Sequence, residues 1–331
     1  MYAARRSIRL LGLLISAGCL AVLAANVDWS AFVASFREAD LLPIAVGAGL
    51  LVVTCFLFTL RWRLLLALQP RLSVLRVFRF LMSGYFVNLV LPMRAGDALR
   101  VVLVRNAYGH GAARAVTSIL IERLLDVTAV LALAFVVTLT ADVSRAIYGI
   151  VQTAGLLVVA ATVALVLVTA NAAAVSRYLR QSGRFGHSRL ASAAAEQISN
   201  FGEAARSMYP RDRESATQLV SIIMMTALGW GSYATAMILC LSAFEISEAV
   251  PAGLSLTAVT NLGSAVPSLP ASLGVYHALG VLALSPWRIS FAQSLSIATV
   301  SHAMVVGVQL LLGLTAMIAT RRDRDSDLSN R

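Results

Sequence analysis

Six stretches of this chain stay apolar for about 20 residues, the length a helix needs to cross the hydrocarbon core of a bilayer. They are Ile8–Ala25, Leu41–Leu60, Ala115–Leu139, Ile150–Ala170, Gln218–Ala243 and Phe291–Ala319. In lipid each backbone N–H and C=O must be satisfied within the segment or by a closed barrel, so uninterrupted apolar runs of this length are restricted to helix. The rest of the composition agrees: 59% of the 331 residues are hydrophobic and 13% are charged, against about 25% charged in a soluble domain. The expected fold class is an all-α polytopic membrane protein, with little chain left over for a soluble catalytic domain.

Two further apolar stretches are interrupted. Val77–Val104 is broken at Pro92 and Gly96, and Leu254–Leu284 at Pro267, Pro270 and Gly274. The arginines decide how these stretches run. The formal net charge is +11 and every one of the 27 basic residues is Arg; in a soluble chain that would suggest nucleic acid, but cytoplasmic loops of any polytopic protein are enriched in Arg. Suppose Arg5, Arg6 and Arg9 are cytoplasmic and each interrupted stretch enters and leaves by one face. Only Arg37, Arg145 and Arg288 then fall outside, Arg123 lies within a span, and all others are inside. Making either interrupted stretch a full crossing destroys that asymmetry. The expected topology is six transmembrane helices plus two re-entrant hairpins, both termini cytoplasmic, in a bacterial-type inner membrane, with no nucleic-acid partner. Basic residues before the first run and Ala24 and Ala25 at its end also resemble a secretory signal, but the run is long for one.

Pro92 and Gly96 recur as Pro270 and Gly274 at an offset of 178 positions, and the same offset carries Leu41–Leu60 onto Leu219–Ile238 and Ala115–Leu139 onto Gln293–Met317. Each half thus holds three crossings and a hairpin, and an odd number of crossings turns the second half upside down. Paired Pro/Gly-interrupted segments in an inverted repeat point to a binding site near the bilayer midplane. The expected organisation is a first repeat over 1–140, with a cytoplasmic-side hairpin at 77–104 and a crossing at 115–139. A second repeat follows over 150–320, with a cytoplasmic insertion at 171–217 and an outer-side hairpin at 254–284. A polar cytoplasmic tail occupies 321–331. Within the insertion, Leu190, Ala194, Ile198, Phe201, Ala205 and Met208 recur at steps of three and four, an amphipathic helix that either lies on the inner leaflet or packs on a hairpin.

Ionisable residues inside spans are expensive and by default mark a polar pathway. The third crossing carries Glu122, Arg123 and Asp126 at helical spacings; Arg123 and Asp126 can pair, forming either a clamp between helices or an anion site with Arg123 as ligand. The first hairpin carries Arg94, Asp97 and Arg100 around Gly96, with Asn88 ahead of Pro92. Guanidiniums at a new helix start suit a phosphate, although interfacial snorkelling would place them similarly. In the second hairpin, Ser268 and Ser272 flank Pro270, and Tyr276 and His277 follow Gly274; Ser272 is expected to cap that arm, making a neutral polar counterpart to the basic one. The candidate substrate-binding residues are therefore Asn88, Arg94, Asp97, Arg100, Glu122, Arg123, Asp126, Ser268, Ser272 and His277. Cys19, Cys55 and Cys240 lie in apolar runs and His110, His187, His277 and His302 are scattered, so no metal site or cofactor is expected.

The run from Gly84 through Asn88, Pro92, Arg94, Gly96 and Asp97 to Arg100, followed by Glu122-Arg123-Leu-Leu-Asp126 and by Pro267-Ser-Leu-Pro270-Ala-Ser-Leu-Gly274, resembles the lysylphosphatidylglycerol synthase transmembrane family. This flippase-like group includes the N-terminal membrane domain of MprF-type proteins and AglD-like relatives. Ala271 stands where an additional glycine is often found in that family. The resemblance implies a lipid flippase or lipid-handling transporter without specifying the lipid. MprF-type synthases add a soluble aminoacyltransferase domain, whereas only a short polar tail follows Ala319, so a transporter rather than an enzyme is expected. The expected substrate is an anionic or aminoacylated phospholipid or a polyprenyl-phosphate-linked lipid. Two alternatives stand beside it: a membrane-embedded transferase using a polyprenyl-phosphate sugar, and a non-catalytic membrane partner of a soluble lipid-modifying enzyme.

Overall fold

A computed structural model describes residues 2–66, 72–91, 94–108, 111–140, 213–263 and 270–329, with a few single positions between 141 and 212. Among the described residues the chain is all-helical and without strands. The helices are α1 (Tyr2–Asn26), α2 (Trp29–Glu38), α3 (Leu41–Leu66), α4 (Val74–Val90), α5 (Ala95–Tyr108), α6 (Ala112–Thr140), α7 (Arg213–Ser242), α8 (Ala249–Gly263), α9 (Val275–Leu284) and α10 (Phe291–Ser329). A short 3-10 turn at Pro270–Ser272 precedes α9 and another at Ser285–Trp287 follows it.

Three helices are long and apolar enough to cross a bilayer unaided: Leu41–Leu66, Ala216–Ser242 within α7 and Phe291–Thr320 within α10. A fourth span is possible if α1 and α2, bent by 92° at Val27 and Asp28, are one segment. The expected first span therefore corresponds to α1, but the chain then turns into a second helix that hydropathy alone treats as loop. Asp28 starts it, its carboxylate accepting from the Ser30 hydroxyl at 2.6 Å and from the Ser30 and Ala31 amides at 2.9 and 3.1 Å, and those bonds hold the Asp28 carboxyl below its usual range. The expected third span falls on α6, 29 residues long and carrying Glu122, Arg123 and Asp126, which is not among the helices that are long and apolar enough to cross unaided. The expected fourth span, the amphipathic helix of the insertion, Pro92, Pro267 and Ser268 lie outside the described residues.

The outer faces carry many large apolar side chains, while several polar and charged ones are buried with the apolar core. Leu42, Leu139, Val220 and Leu311 are each more than 60% exposed, whereas Thr59, Arg61, Arg100, Thr117 and Ser118 are fully buried. That inversion of a soluble protein's surface is what a lipid solvent requires, and this is a multi-pass membrane protein.

The central pair is α3 against α7, antiparallel along their length. Gln218 Nε2 donates to the Leu64 carbonyl at 2.8 Å near one end, and the Asp40 amide donates to the Ala243 carbonyl at 2.9 Å at the other. Between them Thr54 Oγ1 donates to the Gly229 carbonyl at 3.4 Å and Ser232 Oγ to the Leu50 carbonyl at 3.1 Å. Around this pair, α4 packs on α10 while α8 packs on α6; α5 lies on α4 and α6 while α9 lies on α8 and α10.

Both interrupted stretches fold into two arms packed on each other. In the first, α4 ends at Leu91 in extended conformation, as a residue before proline must, and Arg94 turns the chain into α5 through a left-handed φ of 53°. Gly84 and Gly96 then meet backbone to backbone, closer than any Cβ would permit. In the second, α8 and α9 meet at Gly263 against Leu279 and at Gly280 against Leu256. Ser272 does not cap α9. The residue before the helix is Gly274, with φ 81° and no side-chain cap bond, because Ala271 and Ser272 are themselves left-handed at φ 56° and place the serine outside the first turn.

Candidate functional site

Three elements deliver the ionisable residues of the first half to one place. Helix α5 carries Asp97 and Arg100 on successive turns of one face, α6 carries Glu122, Arg123 and Asp126, and α3 carries Arg61. Arg100 is fully buried and grips Glu122 with both terminal nitrogens, Nη1 to Oε1 at 3.1 Å and Nη2 to Oε2 at 2.6 Å. Its guanidinium also lies over the Trp62 ring at 4.0 Å, and Trp62 Nε1 donates to Ser118 Oγ at 3.0 Å. This bidentate, stacked geometry suits Arg and not Lys.

A second buried guanidinium, Arg61, donates to Asp126 Oδ1 at 2.7 Å and stacks over Phe58 at 4.4 Å. Trp230 of α7 donates its indole N–H to the same carboxylate oxygen at 3.0 Å. Asp126 therefore joins α3, α6 and α7.

Arg123 is placed differently, with its side chain 31% exposed. Its Nη2 donates to both oxygens of Asp97 at 3.0 and 3.1 Å, while Asp126 is farther, at 3.8 Å. The neighbour in sequence is thus the weaker partner, because Asp97 approaches side-on from α5. Asn88 fixes that approach: its Oδ1 accepts from the Gly96 amide at 2.8 Å and its Nδ2 donates to Asp97 Oδ1 at 3.3 Å. Arg94, at the break, is exposed, feels the charges of Arg123, Asp97 and Asp126, and makes no ion pair among the described residues.

Of the residues singled out in the sequence, Asn88, Arg94, Asp97, Arg100, Glu122, Arg123 and Asp126 come together around the Gly84–Gly96 contact. His277 and Ser272 belong to the second hairpin. There His277 meets His302 and Tyr276, which the sequence reading did not combine with it: the Tyr276 and His302 rings stack at 4.6 Å, and His277 lies edge-on to His302 at 5.0 Å. Sequence reasoning also missed Arg61, Trp62 and Trp230. Arg61 had been counted as a loop residue, yet α3 continues through it to Leu66. The signal was present in Leu60-Arg61-Trp62-Arg63-Leu64-Leu65-Leu66, where the apolar run resumes beyond the charges and a helix end is not yet due.

With this geometry in view, likeness to known proteins can be placed. A curated protein named "Glycosyltransferase AglD", from Haloferax volcanii, is 25% identical over 368 aligned residues, covering 99% of this chain and 58% of that protein. The chain thus spans about three-fifths of that relative's length. No solved structure matches it. The family model described as "Lysylphosphatidylglycerol synthase TM region" matches residues 9–313, a range that takes in both hairpins, the charged cluster and the α3–α7 pair, and the chain belongs to this family.

Proposed function

We propose that the protein is a lipid transporter that moves an anionic or aminoacylated phospholipid, or a polyprenyl-phosphate-linked lipid, between the leaflets of a cytoplasmic-type inner membrane. The observation that carries this reading is the charge imbalance at the first break. Among the described residues the guanidiniums of Arg61, Arg94, Arg100 and Arg123 face only three carboxylates, those of Asp97, Glu122 and Asp126. The buried pairs neutralise one another, and the surplus positive charge is left at the accessible rim, on exposed Arg94 beside half-buried Arg123. It sits at the N-terminal end of the 14-residue α5, whose dipole adds to the attraction for an anion. A single phosphate-type head group matches that surplus, while the acyl or prenyl chains stay among the apolar outer faces.

The arrangement of six crossings, two re-entrant hairpins and an inverted repeat belongs to the same proposal. Exchanging positions 178 apart carries Thr54 onto Ser232 and Asp40 onto Gln218, and these are the residues whose hydrogen bonds join α3 to α7 from either side. The same exchange carries Arg94 onto Ser272, both left-handed, and turns the α4–α10 packing into α8–α6. A two-fold relating antiparallel crossing helices lies in the membrane plane, which is what an inverted repeat requires. The arginine distribution supports a cytoplasmic location for both termini.

The test is transbilayer movement of fluorescently labelled phosphatidylglycerol in vesicles containing the purified protein. Arg94→Ala and Arg123→Ala should slow it at least tenfold; rates equal to the wild type in both would overturn the proposal. A second reading, a membrane-embedded transferase using a polyprenyl-phosphate sugar, is favoured by the name of the Haloferax relative. Sugar transfer by the purified chain from a polyprenyl-phosphate donor would establish it.

A further inference from the structure

The second hairpin holds a polar cluster that the anion site leaves unused. Tyr276 and His277 open α9 and face Ser301 and His302 of α10. Tyr276 OH donates to Ser301 Oγ at 3.3 Å. His302 Nε2 lies 2.7 Å from the Ala271 carbonyl; a carbonyl only accepts, so this nitrogen carries hydrogen. His277 is 9% exposed, and its Nδ1 is buried without a hydrogen-bond partner among the described residues. Such a nitrogen is costly in a membrane interior and calls for an explanation. The cluster also sits where the offset of 178 places the counterpart of the charged site, since it carries Arg123 onto Ser301 and Arg94 onto Ser272.

We infer that the His277–His302 pair is a proton-binding site, taking up one proton at a time, and that this proton couples the proposed lipid movement to a transmembrane pH gradient. The inference rests on the transport reading above. The carboxylates are poor carriers for such a proton. Glu122 is held by both nitrogens of Arg100 and Asp126 by Arg61 and Trp230, so protonating either would strand a buried guanidinium. The imidazoles have no such lock.

The groups facing the pair are few. Helix α8 has no ionisable side chain, α7 brings Tyr233 and Cys240, α1 carries Cys19, and α10 brings His302 itself. Helix α4, packed on α10 and on the Pro270–Ser272 turn, carries Arg76, Arg79 and Tyr85, and α2, also on α10, carries Arg37 and Glu38. Among the described residues no carboxylate or guanidinium is in contact with either ring, and His302 is the group that acts electrostatically on His277. Rings 5.0 Å apart cannot both be charged at small cost, which limits uptake to one proton.

The site is connected at both ends. His302 holds Ala271, and Ala271, Ser272 and Gly274 are the left-handed residues that shape the break, so charge on the pair acts on the backbone of the second hairpin. In the other direction Tyr276 neighbours Tyr233, whose ring lies 5.5 Å from that of Trp230, and Trp230 donates to Asp126. The proton enters from water on the side to which the second hairpin opens, resides on an imidazole nitrogen, and leaves to water on the opposite side.

The experiment uses the full chain in phosphatidylcholine vesicles with fluorescent phosphatidylglycerol as probe, with and without an imposed pH gradient. Wild-type flipping should change at least fivefold with the gradient, and the ratio should fall to one in His277→Gln and His302→Gln. The second variant retains an N–H donor for Ala271 while removing the titration. A wild-type ratio of one, or an unchanged gradient response in both variants, overturns the inference. In parallel, 15N spectra of detergent-solubilised His110→Gln/His187→Gln protein report the pair directly. Uptake of one proton between pH 4 and 8 supports the site and uptake of none overturns it. If no lipid moves under any condition, the transport reading fails, and these spectra still decide whether the pair binds a proton.

Discussion

Arg94 and Arg100 are six residues apart in sequence and are held in opposite conditions. Arg100 is sealed between Trp62 and Glu122, both of them buried, so removing either partner leaves an uncompensated charge. Arg100→Ala or Glu122→Ala should cost about 3–5 kcal/mol, read as a large fall in the unfolding midpoint of the purified protein in detergent. Replacing the pair together, Arg100→Met with Glu122→Leu, should recover much of that loss, because the pair's desolvation cost disappears with it. Arg94 is exposed and unpaired among the described residues, so Arg94→Ala should shift stability by no more than about 0.5 kcal/mol while impairing transport. If Arg94→Ala unfolds the protein instead, the residue is structural and not a ligand. Nothing in the sequence separates these two arginines: both sit near Gly96 at helical spacing, and only the three-dimensional approach of α6 decides which one is neutralised.

At the scale of elements, the breaks were legible and their packing was not. Pro92 and Gly96 mark the end of one helix and the start of the next by ordinary backbone sterics, and the structure has α4 ending at Val90 and α5 starting at Ala95. That Gly96 is required by Gly84 on the opposing arm is a long-range fact that spacing does not encode. It gives a sharp contrast between glycines. A Cβ at Gly96 would run into the backbone of Gly84 and the side chain of Asn88, so Gly96→Ala should destabilise by about 1–3 kcal/mol, as overpacking does, and disturb the Asn88 bracket. Gly49 in α3 meets nothing within 4 Å; Gly49→Ala should be neutral or gain up to about 1 kcal/mol from helix propensity. Thermal unfolding of the two variants side by side checks this, and equal destabilisation would mean that the arms do not pack as described. Helix α2 escaped sequence reading for a related reason: ten residues with Arg37 and Glu38 at the end are too short for a span, and only their docking on α10, where Ser296 Oγ donates to the Phe32 carbonyl at 3.2 Å, makes them a defined element.

At the scale of the whole molecule, the offset of 178 positions predicts equivalence between halves, but not that α3 and α7 would pack on each other along their length. Pattern alone cannot choose which of several apolar helices meet, since lipid tails are as apolar as a neighbouring helix and small residues and hydrogen bonds set the partner. Here Gly47 lies against Ala236 and Gly229 against Phe58, and the Thr54 and Ser232 hydroxyls bridge the pair. The antiparallel packing fixes relative direction only. Absolute orientation rests on the arginines, and the burial of Arg61 and Arg100 in the charged cluster removes two of the charges first assigned to the cytoplasmic face. In the proposed topology the asymmetry survives that loss, with the remaining Arg-rich segments on one side and Arg37, Arg145 and Arg288 on the other. Ser73, the N-cap of α4, should therefore be cytoplasmic, and exposed Ser290, ahead of α10, should face outward. Single cysteines at these two positions, in a chain with Cys19, Cys55 and Cys240 replaced, can be probed with a membrane-impermeant maleimide. Ser290→Cys should react in intact cells and Ser73→Cys only in inverted vesicles. Labelling of both from one side would mean that an odd number of crossings does not separate them, and would remove the inverted repeat together with the midplane location of the charged cluster.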